Sequence, residues 1–250
     1  MILSGVKLIT FDATNTLLKF KKPPWDYYTA VAQQFGYTID NERVRIQFLD
    51  SLNKLSNEHP NFGRKSIKWE KWWRCIVQLT FQDTIPNDKI TEIGNILIHD
   101  FTTSKCWCPA KGAEELLQYL HKKNVCVGVI SNFDPRLHQI LCNFKIKSYL
   151  KFILTSYEID SSKPNKIIFD RALKQSMSNV SPFECLHIGD NLEKDYLGAK
   201  NAGWHAILIN ENITEKDINL LNLTETSHNQ ILFNNLEELN DTLKIKMDKH

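Results

Sequence analysis

An α/β fold, a parallel sheet with helices on both faces and one long helical insertion, is predicted by three observations. Short runs rich in Val, Ile and Leu recur along the chain, each ending in small or acidic residues. Segments with the apolar spacing of amphipathic helices alternate with the later runs. From about residue 19 to residue 105, by contrast, no buried-strand pattern occurs and helical patterns dominate.

The first run, VKLITFD at 6–12, is almost continuously apolar, as expected of a strand covered on both faces. In the interval that follows, Trp69, Trp72, Trp73 and Ile76 stand at i, i+3, i+4 and i+7, one face of a helix. Lys21-Lys22-Pro23-Pro24 forms a stiff lead-in, because proline fixes φ, and residues 106–109 form the way out. The chain thus divides into an α/β core of residues 1–18 and 106–250 and a helical domain of residues 19–105. Ala113, Leu116, Leu117 and Leu120 mark the next helix, followed by a strand at 125–131, VCVGVIS. Helix and strand then alternate through strands at 152–156, 185–190 and 205–210. The polar stretch 211–229 reads as loop, 231–233 as a short strand, and a last helix begins near Leu236.

Composition narrows the function classes. At 250 residues, with 42% hydrophobic and 24% charged residues, the chain can bury a full core without disulfides. A net charge of +2 with dispersed Lys and Arg gives no basic surface for nucleic acid or membrane. No run reaches membrane-span length and MILSGVK lacks a signal peptide's apolar stretch, so the expected location is cytoplasmic. The cysteines read as reduced thiols, with Cys75, Cys126, Cys142 and Cys185 as small core residues. Cys106 and Cys108 have metal-ligand character but lack a second pair or a nearby His. Trp25, Tyr27, Tyr28, Trp69, Trp72 and Trp73 of the insertion serve its internal packing, His187 reads as a hydrogen-bonded core histidine, and Asp134 as a helix cap.

In an open parallel sheet, ligands bind beyond the carboxyl ends of the strands, where loops and helix N-termini converge. Asp12, Thr14 and Thr16 follow the first strand, Ser131 and Asn132 the second, and Asp190 and Asp195 the fourth. Lys163 precedes the helix after the third. Singly, each has an ordinary explanation as a cap or turn former. Together they bring carboxylates, hydroxyls and an ammonium to one edge of the sheet.

This ordered set resembles the haloacid dehalogenase superfamily of phosphohydrolases. Asp12, Thr14 and Thr16 match its first motif, DxDxT, except at the second Asp; Ser131 matches the second motif and Lys163 the third. Gly189, Asp190 and Asp195 match the fourth, GDxxxxD. The resemblance implies a Rossmann-like core, a helical cap of the first type (C1) at 19–105, and a small phosphorylated metabolite as partner. It implies that Asp12 attacks phosphorus to form an aspartyl phosphate. Mg²⁺ is then expected on the Asp12 carboxylate, the Thr14 backbone carbonyl and Asp190, with Asp195 orienting a bound water. Ser131, Asn132, Lys163 and Thr16 are the expected phosphate-binding set.

One position departs from the family pattern. Where its phosphatases carry the Asp that protonates the leaving alcohol, this chain has Thr14, which cannot exchange a proton near neutral pH. General acid–base catalysis is commonly worth about 10²–10⁴ in rate, so weakened turnover is expected. The alternative expectations are a catalytically impaired protein that binds phosphorylated metabolites or acts in regulation, and a 2-haloacid dehalogenase. The retained Asp190 and Asp195 speak against the dehalogenase.

Overall fold

A computed structural model describes residues 5–176, 179–212 and 231–247 of the chain. Of the loop expected at 211–229, residues 213–229 lie outside the described residues. The strands are β1 Leu8–Phe11, β2 Leu18–Phe20, β3 Trp107–Pro109, β4 Cys126–Ser131, β5 Phe152–Thr155, β6 Cys185–Gly189, β7 His205–Ile209 and β8 Leu232–Phe233. The helices are α1 Pro24–Gln34, α2 Asn41–Glu58, the short α3 Pro60–Gly63, α4 Lys68–Phe81, α5 Asn87–Asp100, α6 Ala113–Lys122, α7 Arg136–Asn143, α8 Ser156–Ile159, α9 Lys166–Gln175, α10 Gly198–Asn201 and α11 Leu236–Met247.

Six strands form one sheet in the order β5-β4-β1-β6-β7-β8, every neighbour parallel. β1 lies between β4 and β6, so the winding reverses beside it, the place where such sheets open a crevice for ligands. Alternation along the strands builds both faces. Leu8, Ile130 and Cys185 join Phe169 and Ala172 of α9 and Trp204 in one apolar cluster. Ile9, Phe11, Val127 and Val129 are equally buried on the opposite face, where α6 packs against β4 and α11. The sheet therefore matches the predicted α/β class. The sequence analysis missed the separate two-stranded ribbon of β2 and β3, whose three-residue strands are too short for a periodic signal.

The chain forms two compact units, one of residues 1–19, 109–132 and 145–250, the other of residues 20–108 and 133–144. The second contains α7, which the sequence analysis had assigned to the α/β core. The second unit has its own apolar core, including Tyr28, Val31, Phe48, Trp72, Ile76, Phe81, Ile93 and Leu97. Trp72 can be buried because its indole N–H donates to the carbonyls of Leu55 (3.2 Å) and His59 (3.0 Å). Asp134 does more than cap α7. Fully buried, it accepts from the backbone N–H of Arg136 (3.0 Å), from that guanidinium through Nε (2.9 Å) and Nη2 (2.7 Å), and from Trp73 Nε1 (2.8 Å). The guanidinium also lies over the Trp69 and Trp73 rings, 5.3 and 4.8 Å from their centroids.

The cysteines depart from expectation in two places. Cys142 is exposed and Cys106 is buried, whereas Cys185 is buried as expected. Burial pushes the Cys106 thiol up to about 12, with the Asp100 charge adding to it, and burial likewise takes Cys185 up to about 12. Among the described residues, no helix is long and apolar enough to cross a membrane.

Two outcomes follow from this packing. With a colorimetric thiol reagent on the native protein, Cys142 reacts first, while Cys106 and Cys185 react only after denaturant is added. Gly112, at φ 79°, stands where an added Cβ would lie 2.2 Å from the Glu237 backbone nitrogen. Gly112→Ala should therefore lower unfolding free energy by roughly 2–4 kcal/mol, measured by chemical denaturation.

Candidate active site

The Asp12 backbone N–H donates to the Ile188 carbonyl (2.8 Å), extending the β1–β6 pairing and setting the side chain at the carboxyl edge of the sheet. The chain then turns sharply, with the Ala13 carbonyl accepting from Leu17 (3.0 Å) and Leu18 (2.9 Å). Asn15 takes the left-handed conformation, φ 61°, which Asn tolerates better than most residues. Its side-chain amide donates to Asp190 Oδ2 at 3.3 Å.

Lys163 is the centre of the site. Its ammonium is buried and has three protons to give. They go to Asp12 Oδ1 (2.6 Å), Asp195 Oδ1 (2.6 Å) and the Ile130 carbonyl (2.7 Å). The backbone of Lys163 is held just as firmly. Asn132 accepts from its N–H (2.8 Å) and donates to its carbonyl (2.9 Å). The Asn132 side chain is therefore a brace for Lys163, a role the sequence analysis did not assign to it.

Asp195 is brought in by a π-helical stretch, Leu192–Leu197, a widened turn that is common at functional sites. Its Oδ2 accepts from the Asn191 backbone N–H (3.0 Å), and its Oδ1 also meets His187 Nε2 (3.1 Å). Gly189 makes this approach possible, since a Cβ there would sit 2.3 Å from the Asp195 carboxyl carbon. His187 Nδ1 pairs with the Thr10 hydroxyl at 2.8 Å. Thr10 and the His187–Asp195 link were not among the predicted site residues. The available signal was a polar residue at an inward position of each of two adjacent, otherwise apolar strands.

The carboxylates of Asp12, Asp190 and Asp195 offer oxygens within 4.8 Å of one another. With all three ionised and Lys163 protonated, the cluster has two more negative charges than positive. The titration shifts reflect that imbalance. Burial, with the charges of Asp12 and Asp195, raises Asp190 to about 7. Burial also raises Asp12, and Asp195 pushes the same way, against the pull of Lys163. For Asp195, burial is outweighed by the Lys163 charge and the His187 hydrogen bond, which hold it well below the usual carboxylate range. Lys163 stays protonated because its two carboxylate partners outweigh desolvation. An all-oxygen donor set with surplus negative charge fits a hard divalent cation.

A cavity of about 250 Å³ is lined by Asp12, Thr14, Asn15, Ser131, Asn132, Lys163, Asp190 and Asp195, so seven of the eight predicted site positions converge on it or border it. Thr16 does not. It is fully buried, its hydroxyl has no hydrogen-bond partner among the described residues, and it lines a neighbouring depression that shares Asn15 and Asp190.

The chain is 43% identical over 220 residues to the rhythmically expressed gene 2 protein of Drosophila melanogaster, covering 84% of this chain and 85% of the fly protein. It is 30% identical over 207 residues to human haloacid dehalogenase-like hydrolase domain-containing protein 3, covering 82% of each. The fold is shared with a magnesium-bound hydrolase of Bacillus subtilis, at TM-score 0.67 and 15% identity over 96% of this chain and 99% of that one. A phosphatase from Thermococcus onnurineus superposes with TM-score 0.60 at 20% identity, covering 95% and 98%. The sequence profile that matches spans residues 6–203 and thus takes in Asp12, Ser131, Lys163, Asp190 and Asp195. The chain belongs to the haloacid dehalogenase-like hydrolases.

Proposed function

We propose that this hydrolase is a Mg²⁺-dependent phosphohydrolase in which Asp12 is the nucleophile and Thr14 weakens proton transfer. The observation that carries the reading is the buried Asp12–Lys163–Asp195 array, with Asp190 closing a trio of carboxylates beside it. Asp12 Oδ1 is taken by Lys163, which leaves Oδ2 to attack phosphorus and release the leaving group. Lys163, Ser131 and the Asn132 N–H supply charge and hydrogen bonds to the phosphoryl oxygens. Asp12, Asp190 and the Thr14 carbonyl would hold Mg²⁺, with Asp195 behind them; when bound, the ion offsets repulsion between the carboxylate and the incoming phosphate.

Thr14 decides which substrates turn over. Without a carboxylic acid at this position, a leaving alcohol goes unprotonated and the water that hydrolyses the aspartyl phosphate lacks a general base. The preferred substrates are then small phosphorylated metabolites whose leaving group needs no proton, acyl phosphates above all. That same substitution favours a second reading, a protein that binds phosphorylated metabolites without useful turnover. The trio of carboxylates supports phosphoryl chemistry over carbon–halogen hydrolysis.

Phosphate release from acetyl phosphate and p-nitrophenyl phosphate tests the main reading. Turnover should vanish on chelation of divalent metal and in Asp12→Asn, and acetyl phosphate should be the better substrate. Equal rates in wild type and Asp12→Asn would favour the binding protein. Thr14→Asp should raise kcat on an alkyl phosphate such as glycerol phosphate, whose leaving alkoxide needs a proton, by about tenfold or more, a part of the usual general-acid contribution, and change acetyl phosphate less. Unchanged kcat on both substrates in Thr14→Asp would exclude Thr14 as the limiting position.

A further inference from the structure

We propose that His187 is a positioning residue for the site: braced by Thr10, its Nε2–H sets the orientation of the Asp195 carboxylate and, through it, of Lys163. The role of Asp195 toward a metal rests on the function proposed above; the brace itself does not.

The sheet register puts Thr10 of β1 directly beside His187 of β6. Both are fully buried, on the face otherwise filled by Leu8, Ile130, Phe169 and Trp204. The His187 ring meets the Phe169 ring edge-on, centroids 5.4 Å apart at 85°. Two polar side chains in such a layer are costly unless both are hydrogen-bonded. They satisfy each other at 2.8 Å, and the remaining ring nitrogen reaches Asp195 Oδ1 at 3.1 Å.

The partners assign the tautomer. An ionised carboxylate only accepts, so Nε2 carries the proton. Nδ1 is then the acceptor and the Thr10 hydroxyl donates to it. Thr10 thus orients the ring, the ring orients Asp195, and Asp195 Oδ1 receives a second hydrogen bond from Lys163. The arrangement needs this outer support because the wall beside Asp195 is bare. Gly189 has no side chain to block rotation of the carboxylate. Removing the Nε2–H leaves Asp195 held only by the Asn191 N–H on Oδ2 and by Lys163 on Oδ1, so the carboxylate is less fixed as the acceptor that balances the pull of Lys163 on Asp12.

A group behind metal-holding carboxylates, as Asp195 stands behind Asp12 and Asp190, typically changes metal affinity by about 10–100-fold when lost, and loosening it costs part of that. In the 250-residue chain, Mg²⁺ affinity measured by calorimetry should weaken by up to about tenfold in His187→Leu. His187→Gln, whose amide nitrogen can donate from a similar place, should recover most of the loss. Thr10→Val keeps the shape, removes the hydroxyl and should give an intermediate loss, and it decides the matter if His187→Leu does not fold. Nitrogen NMR of the histidine ring should show a neutral imidazole protonated at Nε2. Protonation at Nδ1 would overturn the proposal, as would wild-type Mg²⁺ affinity in Thr10→Val and His187→Leu. If the wild type binds no Mg²⁺, the metal reading falls; the brace is then upheld by the Nε2 tautomer or refuted by its absence.

Discussion

An ammonium group has three protons, and in this molecule all three of Lys163 are committed inside the protein. Two meet carboxylates from different parts of the chain, Asp12 and Asp195, and the third meets the carbonyl of Ile130. Burying a lysine is tolerable only when its charge is compensated and its donors are all used. That demand dictates the surroundings. Asp12 must end β1, Ile130 must sit in the neighbouring β4, and Asp195 must come in after β6 on the other side of β1. A parallel sheet whose winding reverses beside β1 delivers all three to one edge.

The compensation overshoots. Three carboxylates lie around one ammonium; burial, with the charges of Asp12 and Asp195, raises the affinity of Asp190 for protons, and burial does the same for Asp12 against the pull of Lys163. Such a set of oxygens fits a hard cation. Its parts are held in advance: Asn132 clamps the Lys163 backbone, Asn191 and His187 hold Asp195, and Asn15 reaches Asp190. Pre-positioned polar groups cost little reorganisation when charge develops.

Against this intact machinery stands Thr14. A backbone carbonyl is indifferent to the side chain it carries, whereas proton transfer depends on it entirely. Charge compensation and acid–base chemistry are therefore separable here, in a way that loss of Asp12 or Lys163 would not allow.

Much was legible in the sequence. Buried parallel strands announce themselves as continuous apolar runs, and the residues that follow them must share an edge, so Asp12, Ser131, Lys163, Asp190 and Asp195 could be grouped before any coordinates. Departures arose where the signal is short or nonlocal. The β2–β3 ribbon has strands too brief for periodicity, and α7 has the spacing of any amphipathic helix, with nothing local to show that it packs in the helical unit. Thr16 carries the motif letter yet faces away from the cavity, because the turn after Ala13 rotates it into the interior. The pattern of residue types along the chain determined the fold class and the chemistry at the sheet edge. Only the tertiary structure decided that Thr10 and His187, 177 positions apart, meet behind Asp195, because sheet register and face are set by packing among distant segments.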